Sequence, residues 1–199
     1  AWQAGIAIDP RLKNPLSAHW YAVDWDGNVY VVAEHYAAGK DIDFHARAIL
    51  DVSAKLGWKR DARGRVEALI DSAASQRTLA AEKSVAELFC ERGILADMRV
   101  EKDLFSGIER VKSYLNRENG LPDLYIFSGC TNMIREFKSY FWGSGDTPVK
   151  RDDHAMDELR YFLMSRPSPA EKELLPSAVA RDKERRIRAL LRSRRARRQ

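Results

Sequence analysis

The stretch QAGIAIDPRLKNPLSAHWYAVDWDGNVYVVAEHY, residues 3–36, decides the fold. Residues 3–9 (QAGIAID) read as a short buried strand that ends in an acid. Residues 17–24 (SAHWYAVD) and 28–36 (NVYVVAEHY) read as two further strands. Between them lies WDGN, whose Asp26-Gly27 pair favours a tight hairpin turn. The chain therefore opens as an antiparallel three-strand meander.

Downstream the spacing changes. Ile42, His45, Ala46, Ile49, Val52 and Leu56 form one helical stripe over 41–57, and Gly57 is its stop signal. VEALID (66–71) predicts a fourth strand, again ending in an acid. A helix is expected over 76–92 before Gly93, and a short strand at MRVEK (98–102). A further helix is expected from Ser106 to about Asn116, with Ile108, Val111 and Leu115 on one face. LYIF (124–127) predicts a strand, 131–142 an aromatic-rich helix, 143–148 a loop, and Asp153 to Ser165 the last helix of the body. Three antiparallel strands feeding alternating strands and helices give an α/β chain. The expected fold is an RNase H-like mixed sheet with helices on both faces, although strand–helix alternation alone also allows other α/β folds. The body spans residues 1–165, RPSPAEKELLPS (166–177) reads as a linker, and 178–199 is an Arg-rich tail able to form a short basic helix through Ile187, Leu190 and Leu191.

The chain has 199 residues, 45% of them hydrophobic, enough for one domain core plus an appendage. Cys90 and Cys130 are too few for a disulfide framework, and a reduced cytosolic setting is the default. No run approaches the roughly 18 apolar residues of a membrane span, and the start does not read as a signal peptide. The net charge of +5 is uneven: residues 181–199 hold ten Lys/Arg against two acids, so the body is slightly acidic. An acidic body that binds nucleic acid needs metal ions or local basic patches to offset repulsion.

The acids carry the chemistry. Asp9 ends the first strand, Asp71 ends the fourth, and Asp153 begins the last body helix, with Asp152 before it and Asp157 one turn on. Adjacent strands that end together bring their terminal side chains close, and a helix starting over that edge adds a third carboxylate. Such acids raise one another's pKa, and hard divalent cations such as Mg²⁺ or Mn²⁺ relieve the crowding. Two ions about 3.5–4 Å apart activate a water and stabilise the leaving oxygen of a phosphodiester. On this reading Asp9 bridges both ions while Asp71 and Asp153 each complete one site. Asp157 shares a face with Asp153 as a ligand or an orienting group. Against it stands the ordinary use of acids as turn and helix caps.

Several stretches together resemble the C-terminal nuclease domain of phage terminase large subunits. They are GIAIDPRLKNP (5–15), GNVYVVAEHY (27–36), LIDSAAS (69–75), FSGIERVKSYL (105–115), LYIFSGCTNMIREFKSYFW (124–142) and VKRDDHAMDELRYF (149–162), the last being the most specific. The resemblance covers about residues 3–165. It implies a metal-dependent endonuclease that cuts concatemeric viral double-stranded DNA during genome packaging in the cytoplasm of an infected bacterial host. It implies metal ligation by Asp9, Asp71 and one or more of Asp152, Asp153 and Asp157, without choosing among the last three. His154 is either a substitute ligand or an ordinary first-turn histidine. The implied partners are the ATPase domain of the same subunit, the portal ring and the small terminase subunit, with no membrane. No GxxxxGK[ST] occurs, so an excised nuclease half without the ATPase motor is expected. Two positions depart from the family: Pro10-Arg11 follows Asp9 where relatives carry a small residue, and Glu158 replaces a small residue. Glu158 lies outside the apolar stripe and is expected to be harmless.

Arg11, Lys13, Lys102, Arg110, Lys112, Lys150 and Arg151 are candidate phosphate contacts, or ordinary surface charge. Glu34 is either an orienting group near Asp9 or a solvated strand end. Ala155, Met156, Leu159, Phe162 and Leu163, with Phe137, Tyr140 and Phe141, are expected in the core. Trp20 and Trp25 belong to the hairpin. The tail binds nucleic acid, docks on an acidic portal surface, or is a solvated end. The competing functions are a transposase- or resolvase-type nuclease of the same fold and a catalytically silent DNA- or portal-binding module.

Overall fold

The hairpin signal at Asp26-Gly27 is realised through Asp24. Its carboxylate accepts the Asp26 and Asn28 amides, both at 2.9 Å, and Gly27 takes the left-handed backbone at φ 83°. In this computed structural model, which describes residues 2–10, 15–75, 82–115, 121–143, 145, 147–149 and 151–165, β1 (Gln3–Asp9), β2 (Leu16–Val23) and β3 (Val29–Ala37) form the antiparallel meander. β4 (Val66–Ile70) runs parallel to β1, β5 (Ile94–Asp97) parallel to β4, and β6 (Leu124–Ile126) parallel to β3. The sheet order β5-β4-β1-β2-β3-β6 is the RNase H-like mixed sheet expected from the chain's opening.

Side-chain alternation divides this sheet between two cores. Ile6, Ile8, Ala18, Trp20, Ala68 and Ile70 pack with Ala46 and Ile49 of α1 (Ile42–Lys55) and Ala86 and Phe89 of α2 (Val85–Glu91). Ala7, Tyr21, Val29 and Val31 pack with Tyr114 of α3 (Leu104–Leu115), Met133 of α4 (Thr131–Ser139) and Leu159 and Leu163 of α5 (His154–Met164). Helices thus cover both faces. The β2–β3 register shifts by one residue: Trp20 pairs with Ala33 and Tyr21 with Val31, skipping Val32. This extra residue reverses the alternation of β3. It turns Glu34 and Tyr36 toward α4, where both make hydrogen bonds, and leaves His35 to meet His45 of α1.

Several expected elements differ. The strand placed at 98–102 is Ile94–Asp97, because Gly93 ends α2 at φ 87° and the chain enters the sheet at once. The helix expected over 76–92 is described only as Val85–Glu91, opened by a Ser84–Glu87 capping box; residues 76–81 lie outside the described residues. A short 3-10 turn, Ser72–Ser75, follows β4. On α3, Ile108, Val111 and Leu115 share one face, as expected, and line a groove with Val111 packed against the core, while the fully buried positions are Gly107, where α3 meets α5, and Tyr114. Phe141, expected in the core, is 62% exposed beyond the end of α4. Trp20 is buried and donates to Ser53 at 3.0 Å, whereas Trp25 is exposed in the hairpin turn. The linker and tail, 166–199, lie outside the described residues. Among those described, no helix is long and apolar enough to cross a membrane.

Gly5 lies on β1 directly under α5. A Cβ there would stand 2.6 Å from Cε2 of Phe162, whose ring is stacked on Tyr21 with centroids 4.0 Å apart. Gly5→Ala is therefore expected to destabilise the fold by about 2 kcal/mol. Urea denaturation measures this, and a variant as stable as the wild type would remove the packing argument.

Candidate active site

The parallel pairing of β1 with β4 sets Ile8 opposite Ile70, so Asp9 and Asp71 follow as the next residues on adjacent strands. Both extend the alternation that faces α5. Asp9 is buried, and its Oδ2 lies 3.0 Å from Nδ1 of His154, the first residue of α5. Asp71 meets Lys102 through Oδ1 and accepts from the Tyr161 hydroxyl at 3.2 Å through Oδ2. One turn into α5, the buried Asp157 pairs with Arg160. Burial pushes the Asp157 carboxyl up against the pull of Arg160, and the nearby Asp153 and Asp9 push it further. Burial also raises Tyr161, as do the charges of Asp157, Asp71 and Asp9 around it. The Asp71 carboxyl is nevertheless held below its ordinary range, where burial is outweighed by Lys102, the Ala73 amide and Tyr161.

These groups border a cleft of about 480 Å³ lined by Pro15, Lys102, Leu104, Tyr140, Pro148, Arg151, Asp152, Asp153, His154, Asp157, Arg160 and Tyr161. Asp9 and Asp71 are not among the lining residues but bond to three that are: His154, Lys102 and Tyr161. Asp152 is exposed, at a left-handed φ of 50° that Asp tolerates better than most residues. The donor set is carboxylate oxygen, which suits a hard divalent cation. Among the described residues no three His, Cys, Asp or Glu side chains are grouped closely enough to hold one ion. Of the basic candidates, Lys102 and Arg151 line the cleft. Lys112 lines a separate apolar groove of about 200 Å³ with Ile108, Leu115, Phe141 and Trp142. Arg110 does not line the cleft, and Arg11, Lys13 and Lys150 lie outside the described residues.

Glu158 overturns its expected harmlessness. It is fully buried, because α5 is enclosed on every side. Its Oε1 accepts from Ser17 at 2.7 Å and meets Nδ1 of the equally buried His19. The other imidazole nitrogen of His19 lies 3.2 Å from Glu34. Burial alone would drive His19 down, but Glu158 and Glu34 on either side hold it up at about 9. Glu34 is no solvated strand end: it accepts the Asn132 amide at 3.0 Å and the Met133 amide at 3.2 Å. Burial opposes its charge, yet His19 and these amides bring its carboxyl down to about 2. The sequence reading missed His19, Glu136 and Arg160. The available signal was polar residues on inward strand and helix positions, since a buried charge requires a partner.

A group whose pKa the fold raises stabilises most while it is fully protonated in both states. The His19 contribution is thus complete below the ordinary 6.5 and lost as pH rises through about 9. The melting temperature is expected to fall between pH 6.5 and 9, and His19→Gln, less stable throughout, to lose that slope. A wild-type melting temperature that is flat or rising over this range would contradict the pairing.

No protein-family profile matches the chain, and no curated protein does. Solved structures do. The large terminase of a thermophilic bacteriophage, in complex with ADP, superposes with a TM-score of 0.63 at 21% identity, over 81% of this chain and 39% of that one. The P22 large terminase nuclease domain superposes with a TM-score of 0.64 at 18% identity, over 83% of this chain and 81% of that domain. The chain spans about two fifths of the thermophilic phage protein's length. The fold of this chain is therefore that of the phage large terminase nuclease domain, an RNase H-like fold.

Proposed function

We propose that this chain is a metal-dependent endonuclease that cuts concatemeric viral double-stranded DNA during genome packaging. One observation carries the reading: Asp9 and Asp71 end adjacent parallel strands on the face that α5 covers, and Asp157 of α5 lies within electrostatic reach of both Asp9 and Asp153. The likeness in fold to the thermophilic phage large terminase and the P22 nuclease domain supports it.

Asp9, Asp71, Asp153, Asp157 and Asp152 would hold Mg²⁺ or Mn²⁺. Their like charges and oxygen donors fit such ions. The bound metals would supply an activated water and offset the charge that develops on the leaving oxygen. The chain's own side chains do the rest. His154 orients the Asp9 carboxylate by hydrogen bonding to Oδ2, and Tyr161 does the same for Asp71. Arg160 offsets the Asp157 charge. Lys102 and Arg151 offer the cleft two cations for backbone phosphates, and Arg11, Lys13 and Lys150 would extend that contact. The double-stranded DNA substrate, an ATPase domain of the same subunit, the portal ring, the small terminase subunit and the host cytoplasm all follow from this reading.

Incubation with supercoiled plasmid and Mn²⁺ or Mg²⁺ tests it. Nicking and linearisation are expected, and Asp9→Ala or Asp71→Ala should reduce both to background while the protein stays folded. Binding without cleavage, unchanged by these substitutions, would make the chain a silent DNA- or portal-binding module. A preference for branched junctions would favour a resolvase.

A further inference from the structure

The helices of this fold are capped in two different ways. α1 is capped by its own Asp41, α2 by Ser84 with Glu87 of its first turn, and α3 by Asp103, all residues at the start of the helix they cap. The N-termini of α4 and α5 make no cap hydrogen bond from their own first side chain. For α5 this is unexpected, because Asp153 stands at the N-cap position and Asp is among the best capping residues. Its backbone, at φ −116° and ψ 9°, is not in the extended conformation that capping uses, and Asp153 lines the cleft instead.

The orphan amides are met by Glu136, a residue of α4. Its Oε2 accepts the Ala155 amide at 2.7 Å, and it also accepts from the Met156 amide. Its Oε1 takes the Tyr36 hydroxyl at 2.6 Å. Glu136 is fully buried, with His154 near it in charge and Arg135 at 3.8 Å on the solvent side. Amide donors at a helix start and their aligned dipoles stabilise such a carboxylate. α4 is held in the same manner by Glu34 of β3, so a chain of caps runs from β3 through α4 to α5.

We propose that Glu136 is a positioning residue: by capping α5 from α4, it frees the Asp153 carboxylate from capping and leaves it to the metal-binding cleft. This rests on the nuclease reading for its metal consequence, but the capping itself does not. Without Glu136, Asp153 at the N-cap position is the local residue placed to cap those amides, and drawing it back onto its own helix would remove a cleft carboxylate.

The experiment uses the full chain with Glu136→Ala, Glu136→Gln, Tyr36→Phe and Asp153→Ala. Without metal, hydrogen exchange at the Ala155 and Met156 amides is expected to quicken at least about tenfold in Glu136→Ala, less in Tyr36→Phe, and to be largely restored in Glu136→Gln, whose carbonyl still accepts. Mn²⁺ affinity by calorimetry is expected to weaken about tenfold in Glu136→Ala. Asp153→Ala should weaken it in the wild-type background and add little in Glu136→Ala, a non-additivity that a general loss of stability does not produce. Exchange within about twofold of wild type in Glu136→Ala overturns the proposal, as does a full Asp153→Ala effect in that background. Should Glu136→Ala fail to fold, the exchange in Tyr36→Phe decides in the same way. A wild type that binds no Mn²⁺ sinks the nuclease reading, and the exchange result still decides the cap.

Discussion

α5 is buried along almost its whole length, from His154 to Leu163, and that burial includes Asp157, Glu158 and Arg160. A charge removed from water is tolerated only with a partner, so each of these three constrains something else. Asp157 and Arg160 hold each other. Glu158 requires His19 and Ser17 on β2. His19 in turn requires Glu34 on β3. The enclosed helix thereby fixes which polar residues the sheet must present beneath it.

The sheet meets that demand through one irregularity. Without the extra residue at Val32, the alternation of β3 would aim Ala33 and His35, not Glu34 and Tyr36, at α4. With it, Glu34 reaches both His19 and the start of α4, and Tyr36 reaches Glu136. Small residues complete the fit: Gly5 admits Phe162, and Gly107 lets α3 close on Arg160. The same packing that stabilises α5 therefore carries its first turn to the edge where β1 and β4 end. Acids of β1, of the residue after β4 and of α5 fall at that edge, and Asp157 is pushed up first by burial and then by Asp153 and Asp9.

Much of this was legible residue by residue. The meander, the Asp26-Gly27 turn, the α1 stripe and the acids at the ends of β1 and β4 follow from local periodicity and turn chemistry, which short sequence windows contain. Lys102 and Arg151, two of the candidate phosphate contacts, line the cleft. Glu158 and Glu34 were misread for one reason. Apolar periodicity identifies a buried face only when the burial is apolar, and on a fully enclosed helix the polar positions are inside as well. Phe141 was misread in the opposite sense: α4 ends at Ser139, so helical spacing no longer aimed that ring inward.

The sequence by itself determined the order of strands and helices, the local caps of α1, α2 and α3, and which acids fall at element ends. These depend on interactions spanning a few residues. Only the tertiary structure decided that His19 lies between Glu158 and Glu34, and that Glu136 caps α5 in place of Asp153. Those contacts join residues 15 to 139 positions apart. They exist because burial leaves a charged group no water to bond, and the fold alone determines which partner lies within reach.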